Sequence, residues 1–155
     1  MTGRSEDDLT AFEAEVADVE RTVQRRVEPG AAAAGVVVGI LMLLASLMLP
    51  WTGTTRGGEI LLGFADLGVL PPFFARVVVG FGVLGSVLAL LTHRWALAWA
   101  CAVGCGFSIV AGVWAIWSRQ VTVLHGGEGP GFGLVLAVLG AVVLTYSWVR
   151  IALRR

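Results

Sequence analysis

Apolar residues along this chain gather into four long runs, at about 31–49, 73–91, 95–117 and 131–149. At about 1.5 Å per helical residue, each is long enough to cross roughly 30 Å of hydrocarbon. Three of the runs hold no Asp, Glu, Lys or Arg, and the second holds only Arg76, one turn from its start. Charge-free runs of this length predict transmembrane helices, since a buried helix of a soluble domain needs far fewer apolar residues. Pro71 and Pro72 suit a helix start, where a missing N–H is harmless. Thr92, His93 and Arg94 leave room for only a tight turn between the second and third runs, which predicts an antiparallel hairpin. The 50–72 connection begins with a turn-rich stretch from Trp51 to Gly58. It continues with 60–70, apolar apart from Asp66 and too short to span, which predicts an interfacial or re-entrant segment. The 118–130 connection ends in a glycine-rich bend.

Ahead of the first run the pattern changes. Leu9, Phe12, Val16, Val19, Val23 and Val27 recur at spacings of three and four, the apolar stripe of an amphipathic helix. Ser5 and Asp8 resemble a capping box with Asp in place of Glu. Acids gather early in this segment and Arg21, Arg25 and Arg26 late, which complements a helix dipole. Pro29 and Gly30 separate it from the first run. The division is therefore 1–29, an amphipathic helix and linker, and 30–155, a transmembrane domain. The stripe is read as a surface that joins protomers or grips a partner. A helix lying on the membrane is the plainer alternative, but its acidic face repels anionic lipid.

Composition supports the membrane reading: 57% of residues are apolar, 14% are charged, and the mean hydropathy is +0.84. A soluble domain carries about 25% charged residues. All eleven basic residues are Arg, with no stripe of them long enough to follow a phosphate backbone, so nucleic acid is excluded as a partner. Seven Arg flank one side of the four-span arrangement (Arg21, Arg25, Arg26, Arg94, Arg150, Arg154, Arg155) and three the other (Arg56, Arg76, Arg119). The richer side belongs in the cytoplasm, which puts both termini inside. Trp51, Phe73, Phe74 and Trp117 then mark the outer interface, and Trp95, Trp99, Tyr146 and Trp148 the inner one. The polar, acidic start is not a signal peptide.

Small residues recur at helix-contact spacing: Gly35 with Gly39, then Gly104, Ser108 and Gly112. Such faces let helix backbones approach closely, either within one chain or between copies. Cys101 and Cys105 lie one helical turn apart, without a nearby His or acid in sequence, and read as small packing residues rather than a metal or redox pair. Glu59, Asp66, His125 and Glu128 fall in the two outer connections. They lack ligand spacing and read as solvated loop residues, with outer-face acid–base chemistry as the sharper alternative. No catalytic residue, cofactor or metal site is assigned. Active transport is disfavoured because no ionisable group lies deep in a run.

Four stretches carry a resemblance: Glu28-Pro29-Gly30, 94–99 (RWALAW), 115–120 (AIWSRQ) and 129–133 (GPGFG). On these the chain resembles an uncharacterised family of small four-span membrane proteins of mycobacteria and related actinobacteria. The resemblance implies a plasma-membrane protein and no catalytic residues.

The expected fold is an all-α antiparallel four-helix transmembrane bundle behind an amphipathic cytoplasmic helix. The expected function is a non-enzymatic accessory or scaffold subunit of a bacterial cell-envelope complex. Its expected partners are the lipid bilayer and a further copy or another membrane protein. The alternative is a small homo-oligomeric channel lined by Ser46, Ser86, Ser108 and Thr145.

Overall fold

A computed structural model describes residues 31–65 and 67–153. The striped segment from Leu9 to Val27, Asp66, Arg154 and Arg155 lie outside the described residues.

The first apolar run forms α1, Ala31–Met48. A hairpin follows, with β1 (Pro50–Thr52) paired antiparallel to β2 (Thr55–Arg56). Its turn requires Gly53, whose φ of 52° lies in the left-handed region. A short helix, α2 (Gly57–Leu62), starts where the Glu59 carboxylate accepts the Arg56 N–H at 3.0 Å. It stops at Gly63, also left-handed, with Phe64 N–H donating to the Glu59 carbonyl at 2.9 Å. Of the segment expected to be interfacial or re-entrant, 60–62 close this helix and Gly63 and Phe64 form its turn.

The next helix runs from Leu70 to Thr92 in three parts: α3 (Leu70–Val77), a π-helical stretch (Val78–Gly85) and α4 (Ser86–Thr92). Both prolines sit in its first turn, so it starts three residues before the apolar run. It ends at His93, a left-handed residue whose N–H reaches the Ala89 carbonyl at 2.9 Å. After Arg94 the chain turns into α5, Trp95–Val123, which continues well past the expected end at 117. The cause is local: Ser118 and Thr122 return their hydroxyls to the Ala115 and Ser118 carbonyls, at 2.8 Å each, and so fit a helix despite their polarity. The last helix is α6, Phe132–Leu153.

Helix α6 is central, with α1 on one flank and α5 on another. Close approach depends on missing side chains. A Cβ on Gly39 would stand 2.6 Å from Leu144, and one on Gly112 would stand 2.6 Å from Val138. Leu43, only 1% exposed, is the knob where three helices meet. It occupies the space that Cβ atoms on Gly82 and Gly140 would need. Packing at this density makes each removed methylene costly.

Among the described residues, three helices are long and apolar enough to cross a membrane: Leu70–Thr92, Trp95–Val123 and Phe132–Leu153. The apolar part of α1, Ala33–Met48, falls short of that length. Among the described residues the first predicted span is thus a shorter apolar helix. Apolar side chains such as Leu84, Leu91, Val103, Trp114 and Phe132 cover much of the outer surface.

Candidate functional site

The most elaborated part of the molecule is the end where the hairpin meets the start of α6. Trp51 fills it. Its side chain is fully buried, its indole N–H donates to the Ser46 carbonyl at 2.8 Å, and its ring lies 5.5 Å from that of Phe74. Glycines surround it because nothing larger fits: a Cβ on Gly57 would collide with the indole, and one on Gly133 would stand 2.8 Å from its Cδ1. The Trp51 carbonyl accepts the Gly131 N–H at 2.6 Å, and Thr52 forms a bridge with Pro130. Arg119, near the end of α5, donates through Nη2 to the Glu128 carbonyl at 3.0 Å. Two elements far apart in sequence, 50–57 and 128–133, are thereby sealed together.

A second buried polar contact lies towards the opposite end. The indole N–H of Trp148 donates to the Ser86 hydroxyl at 2.8 Å. Ser86 closes the π-helical stretch and donates in turn to the Phe81 carbonyl, at 3.4 Å. Phe81 packs where Gly104 has no side chain. Trp95 donates to the Ala152 carbonyl at 3.3 Å, tying the turn at His93 and Arg94 to the end of α6.

The small-residue positions face neighbours within this one chain. Gly35 packs against Ser147, Gly39 against Leu144, Gly104 against Phe81 and Gly112 against Val138 and Phe74. Ser108 is buried and donates to the Gly104 carbonyl at 2.8 Å. The apolar stripe Leu9, Phe12, Val16, Val19, Val23 and Val27 falls outside the described residues. Cys101 and Cys105 are free thiols and both are buried. Glu59 is committed to its helix cap, and His125 lies exposed with its ring nitrogen 3.2 Å from the Val121 carbonyl. Among the described residues no three His, Cys, Asp or Glu side chains come together as a metal site would require. The structure brings Glu128 to Arg119 and Gly53, but not to His125 or Glu59 as an acid–base set.

The proposed pore lining is corrected. Ser46, Ser86 and Ser108 are buried, and with Thr145 each turns its hydroxyl to a carbonyl of its own helical segment. They satisfy themselves and leave no polar row. Three interface markers are corrected as well, because Trp51, Phe74 and Trp148 are core residues, and both indole N–H groups are satisfied. Sequence spacing did not single out Thr52, Arg119 or the Trp148–Ser86 pair. The signal available for the first two was the density of glycine around 53–58 and 126–133, which marks close backbone approach.

The chain matches the MiaB C-terminal domain family over residues 13–155. It is also 42% identical over 159 residues to a tRNA-2-methylthio-N(6)-dimethylallyladenosine synthase of Mycobacterium avium (strain 104). That alignment covers 98% of this chain but 22% of the relative, so the chain spans about a fifth of that enzyme's length. No solved structure matches the chain.

These matches overturn several expectations. The resemblance to an uncharacterised four-span actinobacterial family gives way to a family named for MiaB, and the transmembrane-bundle fold class gives way to that family's C-terminal domain. The helices themselves stand, but their apolar surface does not identify a family. The cell-envelope scaffold and the oligomeric channel are both withdrawn, since the relative is a tRNA-modifying synthase. That relative is named as a synthase of a tRNA nucleoside, so neither the non-enzyme assignment nor the exclusion of nucleic acid is kept. The lipid-bilayer partner and the multi-pass plasma-membrane location with its termini inside, read from the apolar runs and the Arg distribution, are withdrawn on the same matches. The chain belongs to the MiaB C-terminal domain family.

Proposed function

We propose that this chain works in tRNA modification, as a domain of a tRNA-2-methylthio-N(6)-dimethylallyladenosine synthase or together with one. The observation that carries this reading is the alignment of 98% of the chain with part of such an enzyme. The geometry favours a supporting share in that activity. The two cysteines are buried, and the described residues gather no metal-binding set. What the domain does possess is a tightly packed helical body and a sealed hairpin end. In this reading the reacting groups belong to the remaining four-fifths of the enzyme, and this domain sets the stability or placement of that larger part.

The test is removal of the chain's coding sequence in its host, followed by mass spectrometry of nucleosides from purified tRNA. The expected result is a fall in 2-methylthio-N6-dimethylallyladenosine and a matching rise in N6-dimethylallyladenosine. An unchanged ratio of the two nucleosides refutes the proposal. Copurification from the same cells supplies a second arm, with the synthase as the expected companion. Recovery in lipid bilayers without the synthase counts against the reading.

A further inference from the structure

Among the described residues, the sealed end of the bundle contains two buried hydrogen-bond donors without acceptors: the Thr52 hydroxyl and Arg119 Nε. Buried donors are nearly always met, so a pair of them at one end calls for an acceptor. Both flank the same short segment. Thr52 bridges Pro130, and Arg119 already gives Nη2 to the Glu128 carbonyl at 3.0 Å. One carboxylate belongs to that segment. The Glu128 side chain lies over Gly53, in the volume a Cβ would fill, and Gly53 is left-handed at φ 52°. The other described carboxylate on these loops, Glu59, is held by the Arg56 N–H at 3.0 Å. Gly126, left-handed at φ 79°, and Gly127 precede Glu128 and give its backbone room to turn.

We propose that Glu128 is a two-position latch. In one position its carboxylate rests in the notch above Gly53. In the other it accepts from Arg119 Nε and the Thr52 hydroxyl, and so locks the hairpin onto the start of α6. The second position satisfies both orphan donors with one anion, a charge-assisted contact on the Arg119 side. The device regulates how readily the cover over Trp51 opens. It requires no ligand, and it stands or falls independently of any role in tRNA modification.

The test is made on the purified full chain in mild detergent. Amide hydrogen exchange at Gly131, whose N–H is held by the Trp51 carbonyl, reports opening of the hairpin. Glu128→Ala is expected to speed that exchange by about tenfold, and Thr52→Val by less, whereas Glu59→Ala leaves it unchanged. The Arg119 Nε–H resonance, observed by 15N NMR, is expected to move when Glu128 is replaced. If Glu128→Ala does not fold, the wild-type protein still decides. Exchange averaging of the Arg119 Nε–H signal between a bonded and a free position supports the latch. A single temperature-independent signal overturns it, as does unchanged Gly131 exchange in folded Glu128→Ala.

Discussion

Replacing Trp51 by alanine tests whether the hairpin end is a packed plug or a loosely draped loop. The side chain is fully buried against Phe74, Gly57 and Gly133. A buried Trp removes about 150–250 Å² from contact with its surroundings, worth roughly 4–6 kcal/mol at 25 cal/mol per Å². Measured losses for Phe or Trp to Ala in cores run at about 3–5 kcal/mol, because neighbours relax only in part. Trp51→Ala is therefore expected to cost about 3–5 kcal/mol. Trp51→Phe keeps much of the area but abandons the 2.8 Å bond to the Ser46 carbonyl. That bond adds about 1 kcal/mol to whatever the change of ring shape costs. The assay is equilibrium denaturant unfolding of the purified chain in mild detergent, followed by circular dichroism so that the missing indole does not alter the signal. Trp117, which is exposed, serves as the control, with an expected change within about 0.5 kcal/mol on alanine substitution. A Trp51→Ala cost as small as that of the control refutes the plug.

The same assay checks the rest of the packing. Leu43→Ala empties the notch between Gly82 and Gly140, with an expected loss of about 2–5 kcal/mol; a loss below that of a surface substitution contradicts the knob assignment. Ser86→Ala leaves the buried Trp148 N–H without its acceptor, which costs about 1–3 kcal/mol. In the Trp148→Phe background the same change is expected to cost less, and strict additivity denies the pair. Cys101 and Cys105 are expected to resist maleimide in the folded chain and to label on unfolding, as mass spectrometry reads directly. Rapid labelling of the native protein contradicts their burial.

The helices were legible because apolar periodicity and turn residues coincide with their limits. The turn between α4 and α5 falls at His93 and Arg94, where the short polar connection implied it. The boundaries moved where chemistry opposes a simple hydropathy reading. Pro71 and Pro72 are first-turn residues, and Ser118 and Thr122 bond to their own helix. The π-helical stretch at Val78–Gly85 leaves no signature in apolar spacing. Trp51 and Trp148 misled because an amphipathic indole suits a membrane interface and a polar core partner equally well. The family was not legible at all. Apolar helices of spanning length report the hydropathy of a surface, and the relation to a tRNA-modifying enzyme lies in residue-by-residue likeness that no composition or periodicity encodes.

A part for this domain in tRNA modification, as proposed above, shows in the nucleoside content of tRNA from cells lacking it and from the same cells complemented with its gene. On deletion, 2-methylthio-N6-dimethylallyladenosine is expected to fall and N6-dimethylallyladenosine to rise to match, and complementation is expected to restore both. Identical nucleoside ratios in all three strains would contradict it.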